Sequence, residues 1–176
     1  MRSIATAAFL LVLPATVIFA QQAQKHATAK VVTAEIVNAH GQNVGTATLS
    51  EAPSGVRIKL DIKNLPPGPH LMHIHEFAQC EPPDFKSAGA HFNRSDSSHS
   101  EHNHASMSAG DIPNFVLTVK ADGTAQTSVI APGVTFGTES NSVFSNGGTA
   151  LVIHAVATEV NASAPPRNAC AVITKP

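Results

Sequence analysis

Between Val56 and Lys63 the chain alternates without a break: Val56, Ile58, Leu60 and Ile62 are apolar, while Arg57, Lys59, Asp61 and Lys63 are charged. Period-two alternation sends successive side chains to opposite faces of an extended chain, so this stretch predicts a strand with one face in a core and one in water. Val32, Ala34 and Ile36 alternate with Thr33 and Glu35 in the same way. Phe115, Leu117 and Val119 alternate with Asn114, Thr118 and Lys120, with Val116 the one breach, which predicts a strand beginning at Asn114. Asp122-Gly123 then marks a tight hairpin into a strand over 124–130. The stretches 70–77, 150–156 and 169–174 read as further strands, and no window keeps a helical period.

Seven to eight short strands separated by turn signals predict an all-β chain, an antiparallel Greek-key β-sandwich or flattened barrel. Two long irregular segments, 78–111 and 157–168, interrupt the pattern. Loops of that length inside a compact domain are usually functional. Nearly all the metal-capable residues fall in them or at the adjoining strand ends.

The start of the chain follows a different rule. Arg2, an apolar run over 4–19 and Ala20 before Gln21-Gln22 make the pattern of a cleavable signal peptide over 1–20. The run is short for a membrane anchor and carries Pro14, so no stable membrane insertion is expected after cleavage. Residues 21–28 read as a flexible tail and 29–176 as one domain, secreted and, for a bacterial chain, periplasmic. Without Arg2, ten basic side chains face twelve acidic ones, a net of −2 with histidine neutral. No basic block exists, which argues against a nucleic-acid partner. Cys80 and Cys170 are the only cysteines, either one disulfide or two buried thiols, and export favours the disulfide.

Histidine is the outlier of the composition, ten residues of which nine lie from His40 onward. His73-Ile74-His75 falls in a predicted strand, so both imidazoles project to the same face as half of a metal site. Alone this spacing is weak, because surface histidines share it. Further motifs follow in order: Asp84-Phe85-Lys86-Ser87-Ala88-Gly89-Ala90-His91-Phe92-Asn93, then Gly110-Asp111-Ile112-Pro113-Asn114, then Leu151-Val152-Ile153-His154-Ala155, then Arg167-Asn168-Ala169-Cys170-Ala171-Val172-Ile173.

Five separated motifs in this order resemble the copper–zinc superoxide dismutase family, especially its bacterial secreted branch, over most of the chain from about residue 29. The resemblance implies copper ligands at His73, His75, His91 and His154. It makes His91 the catalytic histidine that bridges copper to zinc, with zinc held also by His99 and Asp111. Arg167 corresponds to the residue that guides the anion to copper, and Cys80 and Cys170 to the intrachain disulfide. The implied substrate is superoxide, converted to O₂ and hydrogen peroxide. A homodimer is compatible with the resemblance.

The chain departs from the family pattern around zinc. The histidine usual three residues before the zinc aspartate is Ser108; either His102 or His104 substitutes for it, or the stretch is a solvated, histidine-rich loop that binds no metal specifically. The aspartate usual four residues after the last copper histidine is Thr158, with Glu159 beside it, and the segment from His154 to Arg167 is short. Met72 stands in a strand where phenylalanine is usual and reads as core packing; His70 reads as a structural hydrogen-bonding residue; His26 and His40 read as solvated. The leading expectation is a copper–zinc dismutase. Its alternatives are a copper-only dismutase and a periplasmic copper- or zinc-binding protein without turnover. Arg167 speaks against the last, since a metal carrier has no use for an anion guide.

Overall fold

The computed structural model describes residues 30–93, 107–155 and 165–176. The signal peptide, the tail, His26, His99, His102, His104, Thr158 and Glu159 lie outside the described residues. The strands are β1 (Val31–Asn38), β2 (Asn43–Ala52), β3 (Gly55–Ile62), β4 (Gly68–His70), β5 (Met72–His75), β6 (Leu117–Val119), β7 (Ala125–Ala131), β8 (Thr149–His154) and β9 (Arg167–Ile173). Among the described residues the only helical pieces are two 3₁₀ turns, Lys86–Ala88 and Ser145–Gly147. No described helix is long and apolar enough to cross a membrane.

Seven strands form one antiparallel sheet in the order β5-β8-β9-β1-β2-β3-β7, and β4 pairs separately with β6. Only Leu71 separates β4 from β5, and a short turn joins β6 to β7. The small β4–β6 pair therefore links the two ends of the large sheet, which curls into the expected flattened barrel. In the β6–β7 turn the Asp122 carboxylate accepts the Thr124 amide at 3.0 Å and the Thr124 hydroxyl at 2.7 Å, the local bonding for which Asp is favoured in turns.

The alternating strands behave as their pattern requires. Val56, Ile58, Leu60 and Ile62 are all buried, and Arg57, Lys59 and Asp61 are exposed on the opposite face of β3. Each such aliphatic side chain contributes about 1.5–3 kcal/mol on burial. Met72 is buried in the same core, as expected.

β8 breaks the alternation, since all six of its residues are buried. Leu151 and Ile153 face the main core, while Ala150 and Val152 join a second cluster with Phe85, Ala88 and Cys170. The loop after β5 lies over the outside of the barrel there. The Cys80–Cys170 disulfide, with Cα atoms 5.6 Å apart, pins that loop to β9.

Two expectations need correction. The strand expected to begin at Asn114 begins at Leu117, because Asn114 sits in a left-handed turn at φ 57° and Val116 faces solvent. The pattern also gave no sign of β2, whose register slips by one residue opposite Ile36 and Val37.

Candidate metal centre

β5 sets up half of the site. Met72 and Ile74 enter the core, so His73 and His75 share the opposite face. The returning loop lies along β5 by backbone bonds: Phe92 N–H donates to the Ile74 carbonyl at 2.8 Å, and Glu76 N–H donates to the Ala90 carbonyl at 3.1 Å. This bridge brings His91 opposite His75. Gly110 closes the next layer, its carbonyl accepting Ile74 N–H at 2.9 Å. A Cβ on Gly110 would lie 2.1 Å from the Ile74 carbonyl oxygen, so only glycine allows this approach. Asp111 follows directly.

The other half comes from the far end of β8. A register shift between Ile153 and His154 places His154 opposite Arg167 rather than Asn168. Such an irregularity re-aims side chains at a strand end. His70 supports it from behind, since its two ring nitrogens lie 2.9 Å from the His154 carbonyl oxygen and 2.8 Å from that of Pro66. It is a buried hydrogen-bonding residue, as expected, and points its nitrogens away from the cluster.

One ring nitrogen from each of His73, His75, His91 and His154 lies within 4.8 Å of the other three. The hydrogen bonds fix which nitrogens are free. His75 Nδ1 faces the Gly89 carbonyl at 2.9 Å, and His154 Nδ1 faces the Pro165 carbonyl at 3.3 Å. A carbonyl only accepts, so both Nδ1 atoms carry the proton in the neutral rings and both Nε2 atoms present lone pairs. Those two Nε2 atoms lie 3.3 Å apart. Two lone pairs aimed at each other repel, and a cation between them removes the conflict. His73 Nδ1 is buried without a hydrogen-bond partner, the only such side-chain atom among the described residues. Unsatisfied buried nitrogens are uncommon and call for a partner such as an ion.

Burial holds the His73, His75 and His154 rings neutral and ready to ligate. It lowers His73 to about 4, helped by the charges of His91 and His154. His75 is lowered to about 3, chiefly by burial and further by Arg167, and His154 to about 4, with burial again the main cause. Four imidazoles are a donor set that would suit Cu(II).

His91 is shared between two neighbourhoods. Its ring stacks on His73 with centroids 4.1 Å apart, and its Nδ1 donates to Asp111 Oδ1 at 2.8 Å. Asp111 Oδ2 accepts the Ser108 amide at 2.8 Å. Ser108 thus offers the carboxylate a backbone N–H where the family pattern has an imidazole. Of the residues expected around zinc, only His91 and Asp111 fall among those described.

Arg167 is held at the rim by two carbonyls, Nη1 donating to Phe85 at 2.6 Å and Nη2 to Gly89 at 2.7 Å. The Gly89 carbonyl therefore serves both Arg167 and His75. Sequence reasoning named neither carbonyl. The small-residue run Ser87-Ala88-Gly89-Ala90 ahead of His91 is the one signal that a close backbone approach lay there.

Comparison with known proteins agrees with this geometry. The sequence model of the family "Copper/zinc superoxide dismutase (SODC)" matches residues 43–173. The chain is 47% identical over 123 residues to superoxide dismutase [Cu-Zn] 1 of Aquifex aeolicus, covering 69% of this chain and 72% of that one. A double mutant of a SOD-like protein from Bacillus subtilis superposes with a TM-score of 0.69 at 30% identity, over 81% of this chain and 96% of that one. The Cu/Zn superoxide dismutase of Brucella abortus gives 0.62 at 27% identity, over 82% and 99%. With the fold, the histidine cluster and these relatives in agreement, the chain belongs to the copper/zinc superoxide dismutase family.

Proposed function

We propose that His73, His75, His91 and His154 hold the copper at which this chain dismutes superoxide, with Arg167 as the anion guide. The observation that carries this reading is the convergence of one ring nitrogen from each of four histidines within 4.8 Å, beside a buried His73 Nδ1 that has no hydrogen-bond partner. Copper bound there supplies one-electron exchange, oxidising one superoxide to O₂ and reducing the next, with two protons, to hydrogen peroxide.

The chain's own residues do the rest. His75 and His154 keep their Nδ1 protons on carbonyls, which fixes ring orientation and leaves Nε2 for the ion. Arg167 carries a permanent positive charge beside the cluster, felt at both His75 and His154. Such a charge raises the encounter rate with a small anion more than it confers specificity. His91, with one nitrogen in the copper cluster and Nδ1 on Asp111, is the bridging catalytic histidine of this reading.

Zinc is proposed beside His91 and Asp111, completed by His99 and by His102 or His104. A copper-only dismutase is the second reading. It is favoured by the Asp111 carboxylate, both of whose oxygens already accept N–H groups. Export is part of the proposal, supported by the leader pattern over 1–20 and by a disulfide suited to an oxidising compartment such as the periplasm.

Metal analysis of the purified protein alongside superoxide turnover tests these readings together. One copper per chain with fast turnover is expected. Copper without zinc selects the copper-only form, and stoichiometric copper without turnover overturns the catalytic reading.

A further inference from the structure

We propose that Phe85 is a positioning residue for Arg167, its buried ring fixing the backbone carbonyl that holds one arm of the guanidinium. The inference rests on Arg167 being the anion guide and names what sets its position.

Four non-glycine residues among those described have positive φ: Asn64, Asn114, Asn146 and Phe85. Asparagine enters this region readily, because its short polar side chain bonds locally. Phenylalanine has no such compensation, and a bulky residue there is an outlier. At Phe85 φ is 52° and ψ is 26°. A side chain so disfavoured persists only where its surroundings over-determine it, and such residues gather at functional sites.

The surroundings of Phe85 meet that condition. Its ring is wholly buried in the second cluster, with Ala88, Ala150, Val152 and Cys170, and with Cys80 packed alongside. Its amide donates to the Glu81 carbonyl at 3.0 Å, and its own carbonyl accepts Ala88 N–H at 3.1 Å as well as Arg167 Nη1. Phe85 and Gly89 cap the two ends of the 3₁₀ turn Lys86–Ala88, and both of their carbonyls receive Arg167. The turn is a two-point clamp on the guanidinium. Gly89 reaches its unusual conformation by having no side chain. Phe85 reaches its own by having a large one seated between the disulfide and β8. Loss of the ring frees the backbone to leave the left-handed region, and the carbonyl turns away from Nη1.

Azide, a small anion that ligates Cu(II), is the probe. Its affinity is read by optical titration of the copper-loaded full-length mature protein in wild type, Phe85→Ala, Phe85→Gly, Arg167→Ala and the double variant Phe85→Ala/Arg167→Ala. Copper EPR is recorded for each. Arg167→Ala is expected to weaken azide about tenfold, and Phe85→Ala about three- to tenfold, with unchanged EPR. The double variant should bind no more weakly than Arg167→Ala, as for two residues acting as one unit. Phe85→Gly separates ring from backbone, because glycine accepts the left-handed conformation without cost. It too should weaken azide, and wild-type affinity in Phe85→Gly overturns the role of the ring. Full affinity in Phe85→Ala with weakened affinity in Arg167→Ala overturns the proposal while leaving Arg167 as the guide. Full affinity in Arg167→Ala overturns the reading of Arg167 itself. Where Phe85→Ala does not fold, Phe85→Leu takes its place, with about threefold weakening expected and none overturning the proposal.

Discussion

Replacing Gly89 by alanine strikes the carbonyl that serves both His75 and Arg167, the proposed copper ligand and anion guide. Gly89 has φ 77° and ψ −152°, a region essentially closed to residues with a Cβ. Holding alanine there costs about 1–3 kcal/mol. The added Cβ would also lie 2.5 Å from Glu76 Oε1, 2.6 Å from Glu76 Cγ and 2.6 Å from the Phe77 ring. Glu76 and Phe77 are not fully buried and can yield, but Glu76 Oε1 accepts the Ala90 amide at 3.1 Å and would lose that bond. The lost hydrogen bond adds about 1 kcal/mol. A total of about 2–4 kcal/mol corresponds to a fall in Tm of about 6–12 °C for a domain of this size. The chain can avoid that cost only by rotating the peptide, which withdraws the carbonyl from His75 Nδ1 and Arg167 Nη2 together. Gly89→Ala is therefore expected to lose stability, anion affinity or both. Thermal unfolding followed by circular dichroism, with azide titration of the copper form, reads both. Wild-type Tm and wild-type azide affinity in the same variant would refute the reasoning.

Reducing the Cys80–Cys170 bond, which spans 90 residues, should destabilise the protein by about 4–5 kcal/mol in the chain-entropy model, seen as a lower urea midpoint; an unchanged midpoint contradicts it. The double substitution His102→Ala/His104→Ala should remove zinc and leave copper, by elemental analysis. Unchanged zinc in that variant excludes both histidines as ligands. Metal-free protein should lose stability between pH 7 and pH 5. The folded-state values of His73, His75 and His154 are lowered from 6.5 to about 4, about 3 and about 4, so the unfolded chain binds more protons in that window. The stability they contribute is complete above pH 6.5 and is lost as pH falls toward 4. A urea midpoint that stays level from pH 7 to pH 5 would show that burial does not keep these rings neutral.

Legibility in the sequence followed the physics of each element. β3 was plain because its inward positions are large and its outward ones charged. β2 was hidden because Val44 is followed inward by Ala47 and Leu49, so the bulge breaks parity, and its remaining residues are mostly small or polar. The histidine cluster was legible by family resemblance and by the i, i+2 spacing of His73 and His75, which share a strand face. The clamp on Arg167 was not. It is made of main-chain carbonyls from Phe85 and Gly89, and no side-chain pattern records where a carbonyl points. Likewise nothing in the order of residues showed that the Asp111 carboxylate would be shared by the His91 ring and the Ser108 amide.

The central claim is that four histidines from three segments of the chain make one working copper site. His154 is the histidine supplied by β8, across the cluster from the β5 pair, with its Nε2 3.3 Å from that of His75. The most direct measurement is superoxide decay under His154→Ala and wild-type protein, each loaded with copper and assayed for bound metal. The account predicts that the variant keeps its β-sheet circular dichroism, binds copper more weakly and loses turnover; decay as fast as in wild type, at equal protein concentration, would contradict it.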